Sequence, residues 1–315
     1  MIDPIITVVV PVFNDQDNII RCLESLRYQT VSGIEVIVVN DASTDNTMNT
    51  LRRYQKEYQF SIIAMDKNSG AGSCRNTGIL AAHAPYITFV DSDDWIDIHT
   101  YEKCREQFYE DPDIINFGLI YDYVSCNRRT IKYRYDRKYK VSGEFALNIY
   151  AHTIPNEFEI TPIVNNKIYR RQFLIDNHLF FHEELRYQED DVFTFETLAK
   201  AGTVILIDDC FYHYCQRDDS LIHEVSEYAV HNFVSAYVAL RESLKSDGLF
   251  EKYKQAYYLK FKGSLLGVLK RILDYSHNKE ICNKLVALLM SLLHENFDML
   301  KLLDTIDFSL VRSIL

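Results

Sequence analysis

Apolar and polar positions along the first ninety residues alternate in blocks. Residues 5–12 form a nearly continuous apolar run, the pattern of a parallel strand buried on both faces. Over 16–28 the spacing turns helical, with Ile19, Ile20, Leu23 and Leu26 on one side. A second strand is predicted over 35–39, then a helix running to about Tyr58 with Ser43 or Thr44 as its N-cap. Residues 60–64, 73–82 and 86–90 predict a third strand, a third helix and a fourth strand. This βαβαβαβ order predicts an α/β fold with a mostly parallel central sheet flanked by helices on both faces. Beyond residue 224 the pattern shifts to long helices over 228–244, 250–273 and 281–293, with a shorter one near the end. The chain therefore divides into an α/β domain over 1–223 and a C-terminal helical extension over 224–315. The extension can pack on the first domain, pair two subunits as a homodimer, or meet a membrane.

Composition narrows the function classes. The formal net charge of −11 excludes a general nucleic-acid binder, because phosphate backbones reward a basic surface. Seven scattered cysteines without a C-x-x-C pair suggest reduced thiols, not a disulfide framework or a zinc site. No signal peptide and no uncharged apolar stretch of spanning length is visible. A cytoplasmic location follows as the expectation. One local exception to the acidic balance is the basic, aromatic-rich stretch 128–140. Two readings of it stand: a solvated edge hairpin protected by its charges, or a surface for anionic headgroups or an acceptor pyrophosphate, peripheral on the inner face of the plasma membrane.

Candidate chemistry gathers where apolar runs end in acids. The run 86–90 ends in Asp91-Ser92-Asp93-Asp94, and ligands in open α/β sheets collect at that end of the strands. Clustered carboxylates repel unless a cation or hydrogen-bond donors offset them. Oxygen ligands of this kind suit Mg²⁺ or Mn²⁺ on a diphosphate; the competing reading is a turn whose aspartates cap the next helix. An EF-hand is excluded by Trp95 and Ile96 where a ligand and a glycine belong. A dinucleotide-binding domain is excluded because the first strand leads into Phe13-Asn14-Asp15 without glycine. A second acidic group, Glu189-Asp190-Asp191, opens a predicted helix at 191–200, where negative charge also complements the helix dipole.

Four motifs in register, Val8-Val9-Val10-Pro11-Val12-Phe13-Asn14, Val39-Asn40-Asp41-Ala42-Ser43-Thr44-Asp45, Asn68-Ser69-Gly70-Ala71-Gly72-Ser73-Cys74-Arg75-Asn76-Thr77-Gly78 and Phe89-Val90-Asp91-Ser92-Asp93-Asp94, resemble those of family 2 glycosyltransferases. These are inverting enzymes of GT-A fold that build bacterial capsule, exopolysaccharide and lipopolysaccharide. The resemblance continues more loosely through Asn166-Lys167-Ile168-Tyr169-Arg170 and Gln188-Glu189-Asp190-Asp191 to Tyr212-His213-Tyr214.

The resemblance implies a nucleotide-diphosphate sugar donor, UDP-linked, and a glycan or lipid-linked oligosaccharide acceptor. It implies that Asp41 receives the nucleobase beside Pro11, Val12 and Phe13. Asn68, Arg75, Asp91, Ser92 and Arg217 would line the rest of the nucleotide-sugar site, with Arg75 alternatively a salt bridge within the fold. Asp93 would hold Mn²⁺ or Mg²⁺, and Asp190 would be the general base, with Asp191 the competing assignment one residue on. His213 is set aside as a packed residue. Two other classes are kept: a sugar nucleotidyltransferase, opposed by the missing Gly-rich basic loop after the first strand, and a nucleotide-sugar-binding module without turnover, opposed by the intact acidic motifs.

Overall fold

A computed structural model describes residues 3–123, 128–154, 159–216, 226–275 and 279–297. The N-terminal elements are β1 (Ile6–Val12), α1 (Ile19–Arg27), β2 (Ile34–Asn40), α2 (Thr47–Tyr54), β3 (Ser61–Ala64), α3 (Ala71–Ala81), β4 (Tyr86–Phe89), β5 (Trp95–Ile96) and α4 (Thr100–Arg105). They are followed by β6 (Ile114–Tyr123), β7 (Arg128–Lys132), β8 (Tyr139–Val141), α5 (Gly143–Tyr150), β9 (Lys167–Arg170), α6 (Arg171–Asp176), α7 (Glu189–Lys200) and β10 (Val204–Gln216). Three helices close the described chain: α8 (Glu227–Ser246), α9 (Phe250–Tyr275) and α10 (Lys279–Asn296). The short terminal helix expected beyond them lies outside the described residues.

One sheet runs in the order β3-β2-β1-β4-β9-β6-β10-β5, with β7 added to β6 and β8 to β10. The expected parallel half is present, since β1 pairs in parallel with β2 and β4, and β2 with β3. Between β4 and β6 sits β9, antiparallel to both. Within the basic stretch, residues 128–132 form β7, antiparallel to β6, and 139–140 belong to β8, antiparallel to β10. Alternation along β1 explains its burial on both faces: Ile6, Val8, Val10 and Val12 enter one core with α1 and α2, and Val9 enters the other.

That second core is shared. Phe193, Phe195 and Leu198 of α7 and Phe233, Tyr237, Tyr257 and Phe261 of α8 and α9 belong to one apolar cluster, so the C-terminal helices pack on the helical layer over the sheet. Close approach in this layer needs glycine at one point. A Cβ on Gly78 of α3 would stand 2.3 Å from Cγ1 of Val9, so the helix lies directly on β1.

The strands splay where the site begins. The pairing of β1 with β4 ends at Val9 opposite Phe89, while pairing with β2 continues to Val12 opposite Asn40. Pro11, which has no N–H for a ladder, falls beyond this divergence. The expected capping of α2 by Ser43 or Thr44 is corrected by the structure: Asn46 is the N-cap residue. The hydroxyl of Ser43 instead accepts the Asn14 N–H, and the Asn14 side-chain oxygen accepts the Thr44 N–H at 2.7 Å. Asn14, at φ 49°, thus ties the two loops at the ends of β1 and β2.

Candidate active site

A cavity of about 960 Å³ opens at the C-terminal ends of β1, β2 and β4. Pro11, Val12 and Phe13 form one wall, Asp41 the floor beside them, and Asp91, Ser92 and Asp93 the turn after β4. Glu189 and Asp190, at the start of α7, face it from the other side.

Arg75 joins the two sides. It projects from the second turn of α3, is only 2% exposed, and its guanidinium packs 5.3 Å from the Phe181 ring. Nη2 donates to Asp91 at 2.9 Å, while Nη1 donates to Asp190 at 2.7 Å and reaches Glu189 at 3.3 Å. One buried cation therefore binds three carboxylates, one from the turn after β4 and two from α7. Burial disfavours its charge, but Asp190, Asp91 and Glu189 outweigh that and hold it protonated. Both readings of Arg75 are visible, an internal salt bridge and a wall of the cavity. Burial pushes the Asp190 carboxyl above its ordinary range, against the pull of Arg75, and burial together with the charge of Asp190 pushes Glu189 up as well.

Asp190 and Asp191 both line the cavity, and their side chains take different partners. Asp191 is 6% exposed and spends its oxygens on the core. Oδ2 accepts the Tyr237 hydroxyl at 2.7 Å, and Oδ1 meets the Tyr150 hydroxyl and Nζ of Lys260, the latter at 2.9 Å. Consecutive helical residues point about 100° apart, so one acid reaches Arg75 while its neighbour anchors α7 to α5, α8 and α9.

The three acids after β4 also diverge. Asp94 is buried, with Oδ2 accepting the Tyr212 hydroxyl at 2.5 Å and Oδ1 the Cys215 N–H at 2.8 Å. Burial, then the charges of Asp93 and Asp91, pushes its carboxyl well up. Asp94 thus fixes the turn to β10, leaving Asp91 and Asp93 at the cavity. The Ser92 hydroxyl donates to Asp15 at 2.6 Å, and the Asp93 carbonyl accepts Nη2 of Arg21. Among the described residues no group of three or more acids, histidines or cysteines is gathered to hold a metal. Two carboxylates at an open turn nonetheless fit a hard cation that completes its shell with phosphate oxygens and water.

Asp41 carries the glycine-rich loop. Its two oxygens accept the N–H groups of Ser69 and Gly70, each at 2.7 Å. Gly70 stands at φ +89°, a conformation that calls for glycine, with the tip of the Arg186 side chain over it. Each carboxylate oxygen keeps a second lone pair for a ligand donor. Asn68 binds Arg186 through its side-chain oxygen and its carbonyl, each at 3.2 Å, and it is Arg186 that lines the cavity. Arg217 lies outside the described residues. His213 is a packed residue, stacked on Trp95 at 3.4 Å with Nδ1 3.1 Å from Asp122, and burial lowers its pKa.

Sequence reasoning did not find Arg186 and Tyr187, which precede α7, nor the stripe Lys260, Ser264, Gly267 and Arg271 on α9. The stripe's spacing of four, three and four residues marks one helical face, but that face reads as ordinary packing until α9 is seen beside Asp191. Among the described residues no helix is long and apolar enough to cross a membrane.

Comparison with known proteins agrees with this geometry. EpsH of Bacillus subtilis strain 168, a candidate glycosyltransferase, is 29% identical over 266 residues, 80% of this chain and 72% of that protein. The poly(ribitol-phosphate) beta-N-acetylglucosaminyltransferase TarS of Staphylococcus aureus is 29% identical over 214 residues, 67% of this chain. That match spans only 35% of TarS, so the chain covers about a third of its length. The crystal structure of TarS residues 1–349 with UDP-GlcNAc superposes with a TM-score of 0.60 at 22% identity, covering 92% of this chain and 85% of that one. The fold is therefore GT-A, with the C-terminal helices added. Residues 7–174, more than half of the chain, match the profile of glycosyl transferase family 2, and the chain belongs to that family.

Proposed function

We propose that this chain is an inverting glycosyltransferase. It moves a sugar from a UDP-linked donor to a hydroxyl of a glycan or lipid-linked oligosaccharide in bacterial surface polysaccharide synthesis, working in the cytoplasm. The observation that carries the reading is the placement of Asp190. Its carboxylate heads α7 at the cavity, tied through Arg75 to Asp91 on the opposite wall. UDP is favoured as the carrier because TarS, a relative of the same fold, has been crystallised with UDP and with UDP-GlcNAc.

In this reading Pro11, Val12, Phe13 and Asp41 take the base, and Asp91, Ser92, Arg75 and Arg186 border the ribose and diphosphate. Asp190 accepts the proton of the acceptor hydroxyl as its oxygen bonds to the sugar C1 and the C1–O bond to the diphosphate breaks. A burial-raised carboxyl is a stronger base for that proton than an ordinary exposed one. Arg75 keeps Asp190 oriented and offsets its charge. Asp93, beside Asp91, would hold Mn²⁺ or Mg²⁺, which when bound offsets negative charge on the departing diphosphate.

Calorimetric titration of UDP, GDP, CDP and dTDP, each with and without Mn²⁺, into wild type and Asp93→Ala tests the donor half. Tight metal-dependent UDP binding lost in Asp93→Ala is expected, and absence of binding by every nucleotide overturns the reading. NMR of the transfer product tests the other half, since retention of the anomeric configuration removes Asp190 from its role.

A further inference from the structure

A second cavity, of about 280 Å³, lies behind the Asp93 turn. It is walled by Arg21 of α1, Trp95 of β5, Asp122 and Tyr123 of β6, and Arg128 and Arg129 of β7. Three arginines thus line a cavity that holds one carboxylate, in a chain whose net charge is −11. That carboxylate is already engaged. Asp122 Oδ2 accepts Nε1 of Trp95 at 3.2 Å and stands 3.1 Å from Nδ1 of His213, and Oδ1 pairs with Nε of Arg129 at 2.9 Å.

The aromatic side chains set the arginines in place. Arg129 lies over the Trp95 ring at 5.3 Å and Arg128 over the Tyr123 ring at 4.5 Å. His213 stacks face to face on Trp95. A guanidinium held over a ring uses its face for that contact and keeps edge N–H donors in a fork that matches phosphate oxygens. Asp122 offsets one of the three cations; the like charge that remains costs free energy, and a phosphate lowers that cost.

We propose that this cavity is an oxyanion site for a phosphate monoester or diester, distinct from the site of sugar transfer. Its volume is under a third of the main cavity's, which suits a small phosphate-bearing group. It adjoins the main cavity, because Cys215 lines both and Arg21 donates to the Asp93 carbonyl at 2.5 Å and to Cys215 Sγ at 3.3 Å. The phosphate is therefore held next to the turn that bears Asp93.

The test titrates glycerol 3-phosphate into the full chain, its Arg128→Gln/Arg129→Gln variant and Asp41→Ala. Affinity is expected to fall about tenfold or more in the double variant, to recover in part in Arg128→Lys/Arg129→Lys, and to hold in Asp41→Ala. Melting curves check that the exposed substitutions leave the fold intact. Flotation with phosphatidylglycerol or phosphatidylcholine vesicles separates the sources. Retention on phosphatidylglycerol alone, lost in the double variant, assigns the phosphate to a membrane lipid; glycerol 3-phosphate binding without retention assigns it to a soluble or acceptor-borne group. Equal affinity in wild type and the double variant, loss in Asp41→Ala instead, or no response to either probe overturns the site. None of these readouts needs sugar transfer, so they stand apart from the proposed activity.

Discussion

Replacing Arg75 by methionine keeps much of the side chain's length and removes the cation that three carboxylates share. With the arginine 2% exposed, Glu189, Asp190 and the partly exposed Asp91 lose a partner at 3.3, 2.7 and 2.9 Å. Breaking a buried ion pair from one side costs about 3–5 kcal/mol, because the other charge stays buried. At about 2.1 cal/mol/K of unfolding entropy per residue, a chain of this length loses roughly 5–8 °C of melting temperature. The cost has a pH signature. Without Arg75 the folded-state carboxyls of Glu189 and Asp190 titrate further above the unfolded value of about 4, so between those values the folded state binds more protons than the unfolded one. Stability then falls as pH rises, and the deficit of Arg75→Met is expected to be small near pH ~5 and full near pH ~8. Thermal unfolding followed by circular dichroism at a series of pH values reads this directly. A deficit of equal size across the series would show that Arg75 acts by packing alone, and no deficit at the alkaline end would refute the three-carboxylate account.

Four further outcomes follow from particular contacts. Asp190→Asn should lower kcat by about 10²–10⁴ with UDP affinity unchanged; undiminished turnover would place the base elsewhere. In wild type, the acid limb of kcat/KM should lie above the ordinary carboxylate range, since burial raises both Asp190 and Glu189, and it should report the two as a pair in a pH series. Gly78→Ala should destabilise by about 1–3 kcal/mol through its clash with Val9, and Val9→Ala in the same chain should relieve part of that loss in a double-mutant cycle by urea unfolding. A fragment ending at residue 223 should fail to fold or aggregate in size-exclusion chromatography, because it uncovers the cluster that α7 shares with Phe233, Tyr237, Tyr257 and Phe261.

Much of this protein is legible along the chain. The apolar run expected at 5–12 is β1 at Ile6–Val12, the runs at 35–39 and 86–90 are β2 and β4, and the helical spacing beyond 224 becomes α8, α9 and α10. Burial on both faces of a parallel sheet demands continuous apolar residues, and an amphipathic helix demands a 3.6-residue stripe, so both leave marks that neighbouring residues suffice to reveal. Acids at the ends of strands marked where a site would open for the same local reason.

Tertiary structure decided what depends on residues far apart in sequence. Nothing in the order of elements places β9 antiparallel between β4 and β6. The sequence left Arg75 with two readings, and only its position between Asp91 and residues more than a hundred places downstream makes it a shared partner. Asp190 and Asp191 are chemically the same and adjacent, and they part because one rotation step of α7 turns the first to Arg75 and the second to Tyr150, Tyr237 and Lys260. The basic stretch read as a solvated hairpin or a headgroup surface until β7 set Arg128 and Arg129 across from Arg21 and Trp95. Periodicity is a property of neighbours and survives in one dimension. Charge pairing and cavity shape depend on distances between segments that only the packed sheet and its helices bring together.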